Sequence, residues 1–372
     1  MDSTIDRVLS FYVKINGTTN YHDINKAIDF IYEKIYISVE DNITKQYIKE
    51  RLTKILNYQK QLEELKKIPI IEQRSQEWYE ARQGLISASD FGQALNRGEY
   101  GTQRDFLIKK ITGKSKEITY KAPLLWGVKF EEVATNIYSK RNRVKVFEFG
   151  LIKHPNLKYI GASPDGISEL GIMLEIKCPY SRKISGKIMD QYYDQIQGQL
   201  EVCNLNECDF LECEFEQYKN EQEFLNDIDG SKCLTQNLKE KGIIVQYRED
   251  PDEEYKYLYS PLNMKTNEMV NWKNNIIEGF DITTEFKEDY WRLRKYNNQR
   301  VYRDVNVFEK MNEGLKFVWD KILYYRNPEN KNEFISQIQN KNKAKMYDLI
   351  AKPPSPTFSG FAIKTTDKNE NV

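Results

Sequence analysis

The chain has 372 residues, 30% of them charged, and Lys plus Arg balances Asp plus Glu at 56 each, so any nucleic-acid role must come from charge placement rather than from net charge. Only two histidines, His22 and His154, are present, which argues against HNH, HD and Ser-His-Asp chemistries that need placed histidines. Five cysteines without close CxxC spacing, no apolar run of about 18 residues and no signal-peptide pattern describe a soluble, intracellular protein without a membrane partner.

Residues 1–66 read as helical. Ile24, Ala27, Ile28 and Ile31 recur at helical spacing, and Ile48, Leu52, Ile55, Leu56 and Leu62 continue the pattern in a charged background. This stretch is expected to be a helical extension packed on the core. A helix from about Ser75 then carries Trp78 and Arg82 on one face. Gly84 ends it, and a second helix opens with Ser87 or Ser89 near its N-terminus. Hydroxyls at a helix N-terminus beside an arginine suit a phosphate, although a plain helix cap with a surface arginine would use the same residues.

The segment LLWGVKFEEVATNIYSKR is read as a helix with Glu131 and Glu132 early in it, where acids answer the helix dipole as readily as they serve a site. Gly127 would allow close packing there. The following Lys140, Arg141, Arg143 and Lys145 suit either a solvated helix end or a DNA-facing strip.

Residues 161–177, GASPDGISELGIMLEIK, are the centre of the chain. They read as a β-hairpin presenting Asp165, Glu175 and Lys177, the last two on one strand face and Ile176 on the other. Carboxylates that close repel unless a cation lies between them. Oxygen donors without a neighbouring histidine favour Mg²⁺ or Mn²⁺ over zinc, and the lysine would then assist a water attacking a phosphate. A surface hairpin with an ordinary Glu–Lys pair is the alternative.

Behind the hairpin lie Arg182, Lys183 and Lys187. A helix follows with Tyr192, Ile196 and Leu200 on its core face and Gln195 and Gln199 on another, then a strand centred on Phe210 and Leu211. Helix, strand, strand, helix, strand is a mixed α/β order, with the site expected at a sheet edge. Cys178, Cys203, Cys208 and Cys213 lack a cluster-binding spacing and are expected as buried free thiols. Residues 219–262 look acidic and loop-rich. Residues 285–325, with Tyr290, Trp291, Arg292, Arg294, Lys295, Tyr296, Arg300, Tyr302 and Arg303, read as a strand pair plus a helix from 306 to 325, either nucleic-acid-facing or ordinary half-exposed structure. Beyond 327 a polar, flexible tail is expected, with FSGFAI as a candidate docking peptide.

In this order the motifs resemble the lambda-exonuclease-like, or YqaJ-type, viral recombinases of the PD-(D/E)XK nuclease superfamily. The resemblance rests on EWYEARQGLISASDF, WGVKFEEVA, GASPDGI, LEIKCPYS and YYDQIQGQL, and it spans about residues 70–325. It implies an α/β (α+β), restriction-endonuclease-like core, with a mixed central sheet flanked by helices. The expected units are a helical extension (1–66), the nuclease domain (67–326) and the tail (327–372).

By the same resemblance Glu131, Asp165 and Glu175, with the Ile176 carbonyl, would bind two Mg²⁺ ions, for which Mn²⁺ can substitute. Lys177 would assist the attacking water. Arg82, Ser89 and Gln195 would hold a terminal 5′-phosphate, with Trp78 beside the first nucleotides. The implied activity is 5′→3′ degradation of one strand from double-stranded DNA ends, leaving 3′ overhangs for recombination or replication of a large DNA virus. A single-strand annealing protein as partner, a homo-oligomer (a trimer in relatives) and a host-cell cytoplasm or viral replication site are also implied. The rival readings are an end-independent endonuclease of the same fold and a non-catalytic DNA-end-binding protein.

Overall fold

The computed structural model describes residues 5–10, 12, 24–35, 42–99, 101–114 and 121–339. His22 and the FSGFAI segment lie outside the described residues. A seven-stranded sheet forms the centre, ordered β2 (Val146–Phe147), β5 (Gly166–Ser168), β6 (Met173–Lys177), β7 (Glu207–Gln217), β10 (Glu285–Tyr302), β8 (Lys241–Arg248) and β9 (Lys256–Tyr259). The β6–β7 pair is parallel and its neighbours are antiparallel. A three-stranded sheet, β1 (Ile86–Ser87), β4 (Ile160–Ala162) and β3 (Ile152–Lys153), lies beside it. The mixed α/β class is thus observed, with one change of position: β6 is an interior strand, so Glu175 sits in the middle of an interior strand and not at a sheet edge.

Alternation along β6 divides the core. Met173 joins an apolar cluster with Phe91, Ile196, Leu200 and Phe210, whereas Leu174 and Ile176 join another with Phe130, Ile137 and Leu211. Helix α7 (Asp190–Val202) covers the first face and α6 (Ala122–Asn142) the second. The cysteines follow the same rule: Cys208 and Cys213, five apart on β7, belong to opposite clusters. Cys203, Cys208 and Cys213 are buried free thiols, and burial pushes each of them up in pKa.

Helices α1 (Ile24–Ile35) and α2 (Asn42–Lys66) share these clusters instead of forming a core of their own. Ile31, Ile48, Leu52, Ile55 and Tyr58 pack in the cluster with Phe130, while Leu62 and Leu65 pack in the cluster with Phe91. The β5–β6 turn closes over α2. Gly171 has φ +72°, which only glycine adopts without strain, and a Cβ there would lie 2.5 Å from the Tyr58 carbonyl oxygen.

The expected hairpin is β5–β6; β4, inside the segment read as its first strand, pairs in the smaller sheet. Helix α6 begins at Ala122 with Pro123 in its first turn, where proline costs nothing, so Glu131 is mid-helix and not a dipole-favoured first-turn acid. The stretch read as loop-rich holds α8 (Glu221–Asn226), β8 and β9, and the expected strand pair is the single strand β10 with a bulge between Leu293 and Lys295. Polar tails carry too few apolar residues to signal order, yet the expected tail starts with α11 (Pro328–Gln339), which follows α10 (Val305–Arg326) and buries Phe334 against Tyr325. Residues 340–372 lie outside the described residues. No described helix is long and apolar enough to cross a membrane.

Candidate nuclease site

Asp165 stands just before β5, Glu175 and Lys177 point from β6 towards α7, and Glu131 comes from α6. Glu175 is fully buried at 0% exposure, which is tolerable only because its oxygens are hydrogen-bonded. Lys177 Nζ and Gln195 Nε2 donate to Oε1, and Gln199 Nε2 donates to Oε2 at 2.7 Å. Asp165 Oδ2 accepts the Ile176 backbone N–H at 2.7 Å, which ties the Pro-Asp turn to the middle of β6. Arg74 Nη2 lies 3.5 Å from Glu131 Oε2.

The electrostatics are unbalanced. Burial pushes the Asp165 carboxyl well above its usual range, and repulsion from Glu175 and Glu131 pushes it further. Burial raises Glu131 as well; Arg74 opposes the shift and Glu175 adds to it. For Lys177 burial works against the charge, but Glu175 and Asp165 outweigh it and raise the ammonium's pKa. In the metal-free chain these acids favour the charged form of the lysine.

Trp78, Arg82 and Ser89 form a second group. Ser75 caps α3 (Gln76–Gln83) by accepting the Trp78 N–H, and Gly84 ends the helix, as the sequence pattern predicts. Arg82 stacks on the Trp78 ring at 4.3 Å and donates to Ser89 Oγ at 2.9 Å. Asp90 Oδ2 lies 3.6 Å from the guanidinium. The turn carrying Arg82 is held from below: buried Lys110 donates to the carbonyls of Arg82 (2.7 Å) and Leu85 (2.6 Å), and Arg326 donates to that of Gln83 at 2.6 Å.

The two groups are joined. Trp78 Nε1 donates to Ser163 Oγ at 3.1 Å, and Gln199 Nε2 reaches the Ser163 carbonyl at 3.4 Å as well as Glu175. Gln195, expected with Arg82 and Ser89, donates to Glu175 Oε1 at 2.7 Å. Arg74, Ser163 and Gln199 are parts of the site that the sequence reading leaves out. Only the spacing of Gln195 and Gln199, four apart on one helix face, signals any of them.

The arginines of the basic runs, for which the sequence leaves open both a DNA-facing and an ordinary solvated role, are largely paired within the fold. Arg292 pairs with Glu216 and Asp227, Arg294 lies by Glu216, and Arg300 pairs with Asp209. Arg303 pairs with Glu201, Arg141 with Glu240, and Arg182 with Glu212.

Among the described residues, no three acidic, histidine or cysteine side chains converge closely enough to enclose a metal as they stand. The donor chemistry fits a hard divalent cation all the same. The groups are carboxylates, and burial plus mutual repulsion raises Asp165 and Glu131, the penalty a divalent cation relieves.

A mixed sheet that offers Pro-Asp just before one strand and Glu-x-Lys on the next, flanked by helices, has the layout of the PD-(D/E)XK motif. Residues 77–206 match the model of the YqaJ-like viral recombinase domain. Uncharacterized protein R354 of Acanthamoeba polyphaga mimivirus is 30% identical over 376 residues, covering 90% of this chain and 68% of that protein. The chain belongs to the YqaJ-like viral recombinase family. Among solved structures, an alkaline exonuclease (LHK-Exo) from Laribacter hongkongensis has a TM-score of 0.43 at 17% identity, over 71% of this chain and 100% of that one. A phage-related exonuclease from Haemophilus somnus 129PT has a TM-score of 0.37 at 11% identity, over 68% of this chain and 96% of that one.

Proposed function

We propose that this protein is a Mg²⁺-dependent 5′→3′ exonuclease that degrades one strand of duplex DNA from its ends and leaves 3′ single-stranded overhangs. The observation that carries this reading is the bonded path from Arg82 and Trp78 through Ser163 and Gln199 to Glu175. An anion seat tied to a buried acid cluster measures the cut from a terminal phosphate, whereas a purely internal cutter has no use for one.

In this reading Arg82 and Ser89 receive the 5′-phosphate, and Trp78 packs beside the first nucleotides. Gln195 spends one Nε2 hydrogen on Glu175 and has a second to offer that phosphate. Glu131, Asp165, Glu175 and the Ile176 carbonyl hold two divalent ions, Mg²⁺ or in its place Mn²⁺, which would sharpen a water and neutralise the leaving oxygen. Lys177 assists the attacking water. A single-strand annealing protein receives the overhang, and the protein works as a homo-oligomer at a site of viral DNA replication or in the host cytoplasm; family resemblance supports this part, and the mimivirus relative supports the viral setting alone.

The test is to incubate protein and Mg²⁺ with 5′-phosphorylated linear duplex and with covalently closed circular duplex, beside Asp165→Ala. Loss of linear DNA alone, absent in the variant, is expected. Arg82→Ala should slow the 5′-phosphorylated duplex at least tenfold more than the 5′-hydroxyl one. Cutting of the circle would make the protein an endonuclease. Binding without cutting, with Mn²⁺ also tried, would leave it a DNA-end-binding protein.

A further inference from the structure

Gln199 has a role beyond packing. Its side chain is 1% exposed, on the face of α7 turned towards β6. Its Nε2 donates to Glu175 Oε2 at 2.7 Å and lies 3.4 Å from the Ser163 carbonyl oxygen, two residues before Asp165. One amide therefore spans the strand that leads to Asp165 and the strand that carries Glu175. With Gln195 on Oε1, both oxygens of Glu175 are aimed from the same helix. Gln199 Oε1 is also buried and accepts no hydrogen bond from any described residue, which is costly for a buried amide oxygen. A water held at the site is a donor that would satisfy it.

We propose that Gln199 is a positioning residue for divalent-cation binding, holding Glu175 in register with Asp165 through Nε2 and offering Oε1 to a water of the hydrated ion. The chemistry of the ion matches. Mg²⁺ dehydrates reluctantly and keeps several waters when bound, and each such water needs acceptors. A neutral amide supplies a donor for the carboxylate and an acceptor for the water at once. A third carboxylate there would add repulsion, and an apolar residue would leave Glu175 Oε2 unpaired.

This inference rests on the nuclease reading, so its test measures metal binding directly. MgCl₂ is titrated into the wild-type full chain, Gln199→Met and Gln199→Asn by calorimetry without DNA. Steady-state kinetics on 5′-phosphorylated duplex follow at saturating Mg²⁺. Partners that orient metal ligands are worth about 10–100-fold in affinity or activity. We expect at least tenfold weaker Mg²⁺ binding and a comparable fall in kcat, with KM for DNA within about twofold of wild type. Gln199→Met keeps the volume; Gln199→Asn keeps the amide one methylene short and decides the matter if the methionine variant does not fold. A folded variant that binds Mg²⁺ within twofold of wild type overturns the positioning role and leaves the nuclease reading intact. Absence of Mg²⁺ and Mn²⁺ binding by the wild type overturns both.

Discussion

Asp165 illustrates what burial beside two other acids does to a carboxyl group. Its carboxyl is pushed well above the usual range by burial and by Glu175 and Glu131, so the folded chain holds that proton more tightly than the unfolded chain does. Stability of the metal-free protein through this group is then fully present below the ordinary carboxylate range and is lost as pH rises through the raised pKa. Asp165→Asn keeps an oxygen for the Ile176 N–H and removes the charge. Without metal, the variant should melt above wild type at about pH 8, with the gap closing towards about pH 4. Saturating Mg²⁺ should reverse the order at about pH 8, because the metal binds only the deprotonated carboxylate. Identical melting of both proteins across that range would show that Asp165 is not strained by its neighbours.

At the scale of elements, α7 is the part that aims the site. It supplies Gln195 and Gln199, and its seat against the segment after β1 is set by Gly198. A Cβ at Gly198 would lie 2.3 Å from Cε2 of the fully buried Phe91 ring, a ring with no room to retreat in a close-packed core. Gly198→Ala must therefore move α7 away from Phe91. The expected cost is about 1–3 kcal/mol in chemical denaturation, with nuclease activity falling further than stability because both glutamines move with the helix. Unchanged stability with normal activity would mean that the helix is not seated as tightly as the contact implies.

For the whole molecule, a buried charge network fastens the N-terminal segment to the nuclease sheet. Arg51 Nη2 pairs with Asp6 Oδ2 at 2.7 Å and Nη1 donates to Glu207; Arg300 also pairs with Glu207 and meets Asp209 at 2.6 Å. Tyr138 of α6 donates to Asp209 at 2.6 Å, and Asp209 is the β7 residue paired with Leu174 of β6, next to Glu175. Breaking a buried pair by removing one partner typically costs about 3–5 kcal/mol, because the other charge is left uncompensated. Arg51→Met should lose stability of that order in denaturant unfolding, as one transition shared by the N-terminal helices and the sheet. A small early transition that spares the sheet would show instead that the N-terminal segment is a separable unit. We propose on this basis that the described N-terminal helices and the sheet are not independent folding units.

Local pattern made the centre of this protein readable. Ser75 and Gly84 bracket α3 as caps do, branched residues alternate with Glu175 and Lys177 on β6, and Tyr192, Ile196 and Leu200 mark the buried face of α7. Short motifs of this kind report on backbone preference and on which face is apolar, both local properties. The start of α6 at Ala122, the length of β10 and the helix after Asn327 were misread because packing outweighed weak local signals there. Charge alone could not show that Arg292, Arg300 and Arg303 are spent on internal acids; that depends on which strands become neighbours. Tertiary structure alone placed Gln195 and Gln199 on Glu175, Trp78 on Ser163 and Asp6 beside Arg51. Residues that far apart in sequence meet only when burial of both sheet faces closes the chain around them, and a buried carboxylate then takes whichever donors the fold brings within reach.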